Sequence, residues 1–303
     1  FADRVEPLYV VDGIGDVLGC LRDDGPVRRK RGGILEAGPG DSTYLQYDRR
    51  NADHGVEWLE AHGQQDKPWA LMLSFVCPHP PYICPPEWFA YYANRDLPMP
   101  PQWQQADWPT HPVVDHFRRF FDLHPQFEEK QIRRLLAAYY GACSFLDEQI
   151  GRVLHRLETL GLTDRTRVIY TSDHGEHLGA RGIYGKLSLY DESAGVPMIA
   201  AGPDVPHGHA CHTPTSLIDL YPSIIESVGA RSYDDDAGLP GRSLWAIANN
   251  ADAQRTVLSE YHAVASKHGS YMLRDERFKY NHYVGAPPQL FDMRSDPQEL
   301  RDL

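Results

Sequence analysis

The sequence predicts an α/β protein, a mostly parallel central sheet flanked by helices, with a small antiparallel β subdomain at the C-terminal end. Three observations carry that reading. Short continuous apolar runs at residues 69–76, 167–171 and 196–200 have the texture of strands buried on both faces, as parallel sheets require. Between them lie stretches whose apolar residues step by threes and fours, the spacing of one helix face. From residue 256 onward the texture changes to short β-rich runs separated by turns, as in a meander.

In chain order, residues 1–50 are rich in Gly and Asp and weakly periodic, as in Val11-Asp12-Gly13-Ile14-Gly15-Asp16, and read as long loops with short elements. A helix is expected over residues 48–62, with Val56 and Leu59 on its apolar face and Gly63 at its C-terminal cap. The run at 69–76, bounded by Pro68 and Pro78, is the first core strand. Ten prolines in the 35 residues from 78 to 112 argue against helix and central strand alike and predict an extended excursion of the kind that rims a site. Ile132, Leu135, Leu136, Tyr139, Cys143 and Leu146 begin an amphipathic helix that ends near Gly161, with a break expected around Gly141. Strands at 167–171 and 196–200 follow, and Ser216-Leu217-Ile218-Asp219 resembles a capping box opening a helix to about residue 228. Runs at 256–261, 270–273, 278–283 and 289–293 form the meander. The polar, Gly- and Asp-rich residues 231–252 mark the boundary, giving a core of residues 1–240 and a subdomain of 241–303.

Composition narrows the function. With 42% hydrophobic and 24% charged residues the 303-residue chain is globular rather than disordered. A net charge of −12 excludes a dedicated nucleic-acid binder, and the basic run Arg28-Arg29-Lys30-Arg31 reads as a solvated loop. No apolar stretch reaches the roughly 18 residues a membrane-spanning helix needs, so no membrane partner is expected. The five cysteines are odd in number and scattered without a CxxC pair, which argues against a disulfide framework and for a cytoplasmic location. Phe1-Ala2-Asp3-Arg4 has neither an initiator Met nor the features of a leader, and reads as the middle of a longer chain.

Chemistry is densest at Thr171-Ser172-Asp173-His174-Gly175-Glu176-His177-Leu178-Gly179, directly after a predicted strand, where ligands of open α/β sheets gather. Asp173 and His174 side by side can reach one divalent cation, although local loop hydrogen bonds would satisfy them equally well. Twelve residues after His174 comes Lys186, in Gly185-Lys186-Leu187-Ser188-Leu189-Tyr190; a Lys after Gly is ordinarily a solvent-facing charge. His79 stands between prolines in Cys77-Pro78-His79-Pro80-Pro81-Tyr82 and is rigidly presented, either to a site or to a packed corner. His207, His209 and His212 read as surface histidines, and Asp234-Asp235-Asp236 as a solvated turn lacking calcium-loop spacing. Glu176 and His177 adjoin the proposed ligands, with no signal in the sequence for a role.

Taken together, the proline turn at His79, the Asp-His-Gly segment, the Gly-Lys-x-Ser-x-Tyr segment and the closing Gln289-Leu290-Phe291-Asp292-Met293 with Asp296-Pro297 resemble the sulfatase family of the alkaline phosphatase superfamily. The likeness is nearest the choline-sulfatase-like and phosphonate-monoester-hydrolase-like branch. The resemblance implies an alkaline-phosphatase-like core and metal-dependent hydrolysis of sulfate monoesters. Asp173 and His174 would ligate one divalent metal, Ca²⁺ in preference to Mn²⁺ or Mg²⁺, while His79 and Lys186 would bind the sulfuryl and leaving-group oxygens, His79 as general acid. The partner implied is a small anionic ester, with homo-oligomerisation left open. Alternatives are a phosphonate or phosphate monoester or diester hydrolase on the same framework, and a binding protein without a nucleophile. The family's formylglycine comes from the Cys or Ser of a C/S-x-P-x-R motif, and no Cys or Ser here opens one. The resemblance therefore places formylglycine, and an aspartate pair for the metal, in an N-terminal part missing from this sequence.

Overall fold

The computed structural model of the chain describes residues 31–249 and 254–303; the loop reading of residues 1–30, with most of the basic run, lies outside the described residues. A short helix α1 (Arg31–Leu35) and strand β1 (Gly38–Pro39) lead into α2 (Thr43–His62). Ser42 caps α2, its side chain accepting from Leu45 N at 3.2 Å, so the helix begins ahead of the expected residue 48. After α2 the run 69–76 has no strand partner among the described residues, and its side chains alternate: Leu71 and Leu73 are half-buried while Met72 is 87% exposed. Apolar character favours extended backbone, but a strand also needs a neighbour to complete its ladder, and the expected first core strand lacks one here.

Strand β2 (Ile83–Cys84) pairs in parallel with β1. The proline-rich excursion then contains α3 (Pro86–Ala93), which corrects the expectation of irregular chain, and its last proline opens α4 (Pro112–Phe120). Both helices begin on the proline itself, where a missing N–H costs nothing because the first turn has no acceptor for it. Helix α5 (Glu129–Thr159) runs unbroken for 31 residues through Gly141. That glycine is required by packing and marks no break: a Cβ there would meet Cys84 Sγ at 2.6 Å, so its absence lets β2 lie against the helix. Ile132, Leu135 and Leu136 of α5 pack with Phe117, Phe121 and Phe127 in the main core, and Phe145 and Leu146 pack with Tyr44 and Leu45 of α2. Each such side chain contributes about 1.5–3 kcal/mol through burial.

Strand β3 (Val168–Thr171) is followed by a long loop, a four-residue helix α6 (Asp191–Ala194) and strand β4 (Met198–Ala201). β3 and β4 pair antiparallel, Val168 opposite Ala201 and Thr171 opposite Met198. Residues 172–197 are long enough for a crossover, but they are spent on the loop of the site and the short α6, and the second strand returns in the opposite sense. The capping box at Ser216 and Asp219 opens a single 3₁₀ turn before α7 (Leu220–Ser227), and α8 (Leu244–Asn249) follows. Asp219 also accepts both terminal nitrogens of Arg255 at 2.7 Å.

The meander forms as one antiparallel sheet in the order β5 (Val257–Tyr261), β6 (Ser270–Arg274), β7 (Phe278–Tyr283) and β8 (Ala286–Asp292). The chain is thus an α/β fold with three small sheets, one parallel and two antiparallel, among the described residues. The mostly parallel sheet expected from the sequence is not present there, parallel pairing being confined to β1 and β2. No described helix is long and apolar enough to cross a membrane.

Candidate active site

The end of β3 delivers the acidic and imidazole groups. Ser172 Oγ donates to His174 O at 2.9 Å, and His174 N donates to Asp173 Oδ1 at 3.0 Å, so the turn folds on its own polar groups. Gly175 N donates to Ser193 O at 2.8 Å, and a Cβ on Gly175 would meet Glu192 O at 2.2 Å. Only glycine lets this turn close against α6.

The His174 Nδ1–H donates to Gly175 O at 3.0 Å, which leaves the neutral ring its lone pair on Nε2. That atom lies 3.5 Å from Asp173 Oδ2. A lone pair and a carboxylate oxygen facing each other repel unless a cation or proton lies between them. The Asp173 side chain is 83% exposed, so the pair is open to an ion from solvent. These two donors fit part of a hard cation's shell of six or more. No group of three or more His, Cys, Asp or Glu placed to hold a metal occurs among the described residues.

His79 is held from two sides. Asp48 of α2, fully buried, accepts Val76 N and Cys77 N at 2.8 Å each, and His79 N donates to Val76 O at 3.0 Å. Burial pushes the Asp48 carboxyl above its ordinary range, opposed by those two N–H groups. The His79 Nδ1–H donates to Pro80 O at 2.8 Å, and Lys186 Nζ donates to His79 Nε2, also at 2.8 Å. Burial, then the Lys186 charge, hold the imidazole below its ordinary pKa. Burial likewise lowers Lys186, while the charges of Glu176 and Asp173 draw it back up. The His79 ring lies edge-on to His174, centroids 6.1 Å apart. The turn after residue 76, the Asp-His-Gly turn and the Gly-Lys loop therefore meet at one place.

Lys186 sits between Gly185 at φ 83° and Leu187 at φ 92°, a backbone that L side chains rarely adopt. Glu176 braces it: Oε1 accepts Gly185 N at 2.6 Å and Leu178 N at 3.0 Å. Farther along, buried His177 shares a 2.8 Å hydrogen bond between Nε2 and Ser188 Oγ, and burial with the nearby Arg181 and Lys279 charges drops its pKa to about 3. Sequence reasoning gave Asp48 and Ser188 no part in the site and left a supporting role for Glu176 beside the proposed ligands undecided. The one usable signal was the place of Glu176 and Ser188 inside the motif segments. His207, His209 and His212 are exposed and lie in a separate loop. A cavity of about 570 Å³ opens beside the site, with His174 and Glu176 on one wall and Tyr139, Cys143 and Asp147 of α5 on another.

Residues 24–230 match the sulfatase family model. This chain belongs to the sulfatase family. Residues 175–303 also match the model of the C-terminal region of N-sulphoglucosamine sulphohydrolase. The choline-sulfatase of Rhizobium meliloti (strain 1021) is 31% identical over 286 residues, an alignment covering 90% of this chain and 54% of that protein. Arylsulfatase K of Xenopus laevis is 29% identical over 283 residues, covering 86% and 52%. The chain spans about half the length of the curated relatives it matches. Among solved structures, a 2-O GAG sulfatase shares the fold at a TM-score of 0.71 and 24% identity, covering 88% of this chain and 60% of that one. A phosphonate monoester hydrolase from Silicibacter pomeroyi gives a TM-score of 0.68 at 26% identity, covering 89% and 60%.

Proposed function

We propose that this sulfatase-family chain serves the metal-dependent hydrolysis of sulfate monoesters, with Asp173 and His174 holding one divalent cation and His79 and Lys186 binding the ester's oxygens. The observation that carries the reading is the 2.8 Å contact between Lys186 Nζ and His79 Nε2, which brings residues 107 apart in sequence to a common point beside His174. A protein of net charge −12 must build local positive charge to hold an anionic ester. One unit charge about 4 Å away contributes roughly 4 kcal/mol at an effective dielectric near 20, enough to outweigh the screened field of distant carboxylates. A bound divalent ion, Ca²⁺ being favoured by the hard donors, would polarise the ester oxygens.

The hydrogen-bond pattern supports one placement of the protons. With Nδ1–H committed to Pro80 O and the pKa lowered, His79 is neutral near pH 7, and its Nε2 accepts from the Lys186 ammonium. The two remaining N–H bonds of Lys186 are the donors for the oxyanion. His79 acts as general acid only after Nε2 has taken a proton, and the group that can supply it is Lys186. Imidazole and ammonium thus work as a unit, His79 fixing the direction in which Lys186 points.

The likeness to a phosphonate monoester hydrolase supports a second reading, phosphonate or phosphate ester hydrolysis on the same framework. Sulfuryl and phosphoryl groups share size and tetrahedral geometry. The test is kcat/KM of the intact enzyme on 4-nitrophenyl sulfate and on a matched aryl methylphosphonate. A sulfate preference of at least tenfold is expected. A reversed preference establishes the second reading, and sulfate binding with turnover of neither ester establishes a binding protein.

A further inference from the structure

We propose that Glu176 is the positioning residue that holds Lys186 and His79 in place; the inference rests on the ester-binding reading of the site. Its carboxylate joins the Asp-His-Gly turn to the Gly-Lys loop beside the third converging segment. It belongs to the Asp-His-Gly turn. Through Oε1 it accepts the N–H of Gly185, immediately before Lys186, and that of Leu178. Burial and the Glu176 charge hold the phenol of Tyr82, a buried residue two positions after Pro80, above its ordinary pKa, so the carboxylate is also close to the proline turn.

The backbone explains the need. Lys186 is flanked by two positive-φ residues, one of them the non-glycine Leu187, so the loop does not hold this shape by local preference. His177 N donates to Gly185 O at 2.9 Å, so the peptide before Lys186 is clamped at both its N–H and its C=O neighbourhoods. The negative charge of Glu176 also favours the ammonium form of half-buried Lys186. With two backbone N–H donors on it, Oε1 is committed to holding the loop.

Two substitutions separate reach from charge. Glu176→Gln keeps the length and an acceptor oxygen but removes the charge. Glu176→Asp keeps the charge but is one methylene too short to reach both Leu178 N and Gly185 N. The readouts are calorimetric affinity of the intact enzyme for inorganic sulfate and hydrogen exchange of the peptide containing Gly185. Glu176→Gln should stay within about fivefold of the unsubstituted sulfate affinity, while Glu176→Asp weakens it at least tenfold and exposes the Gly185 amide to exchange. Because Glu176 acts through Lys186, Glu176→Asp should cost less than threefold in a Lys186→Ala background.

Sulfate affinity in Glu176→Asp equal to or better than in Glu176→Gln overturns the proposal, as does an undiminished cost in the Lys186→Ala background. If the unsubstituted enzyme binds no sulfate, the ester reading fails, and exchange alone decides: faster exchange at Gly185 in Glu176→Asp than in Glu176→Gln upholds positioning, and equal exchange overturns it.

Discussion

Lys279 Nζ of β7 lies 2.7 Å from Asp191 Oδ1 of α6, a link between residues 88 apart that ties the C-terminal sheet to the loop bearing Lys186. The same ammonium meets Glu299 Oε1 at 2.7 Å, and Glu299 Oε2 accepts Asp191 N at 2.7 Å. Lys279 and Glu299 are both buried. Replacing Lys279 by Met therefore strands a carboxylate in the interior. The expected loss of stability is about 3–5 kcal/mol. Adding Glu299→Gln should recover part of it, because the uncompensated charge is gone. Urea unfolding of the single and double variants checks this, and a Lys279→Met protein as stable as the original would refute it.

Lys186→Ala in the intact enzyme is expected to lower kcat/KM on 4-nitrophenyl sulfate at least a hundredfold, about 2.7 kcal/mol of transition-state stabilisation. Steady-state kinetics give the number. A loss below fivefold would return Lys186 to the role of a surface charge.

His177 sets an acid limit on stability. Its imidazole protonates near the ordinary 6.5 when the chain is unfolded and only near about 3 when folded, its charged form being disfavoured by burial and by Arg181 and Lys279. Between those values the unfolded state binds the extra proton. The contribution is therefore complete above about pH 6.5 and declines by about 1.4 kcal/mol per pH unit as pH falls toward 3. Unfolding free energies at a series of pH values should show this slope, reduced by one proton's worth in His177→Gln. An unchanged slope in the variant assigns the acid sensitivity to other groups.

Residues 1–303 by themselves should give no multiple turnover of an aryl sulfate with added Ca²⁺, Mg²⁺ or Mn²⁺. No Cys or Ser in the sequence opens C/S-x-P-x-R, and positioning by a Lys and a His does not replace a covalent nucleophile. Purified chain and a chromogenic substrate suffice for the assay. Sustained turnover above background would locate a nucleophile within these residues.

What could be read in advance follows from how local each feature is. That the segments of Asp173, His174 and Lys186 would meet was legible because they are short and of unusual composition, and the box at Ser216 because capping is settled within four residues. The four strands of the meander were legible from runs and turns alone. Pairing partners were not, since an apolar run at 196–200 carries no mark of whether its neighbour is parallel or antiparallel. The prolines at 86 and 112 were misread because the same residue that breaks a helix interior is favoured at its first turn. Asp48 could not have been assigned from sequence: its partners, Val76 N and Cys77 N, are backbone groups that any residue carries.

The pairing of Thr171 with Met198 brings together the two points where the chain leaves and re-enters the sheet, so that the Asp-His-Gly turn and Lys186 travel on one closed excursion. A segment whose entry and exit are neighbours can be exchanged as a cassette. Residues 168–201 of a relative could be transplanted with both strands and no change in loop-closure entropy, provided the host keeps an ammonium and a carboxylate where Lys279 and Glu299 grip Asp191. Modular swapping of this kind would let the Lys186 loop be varied as one piece, against the Arg118 side chain of α4 that donates to Arg181 O.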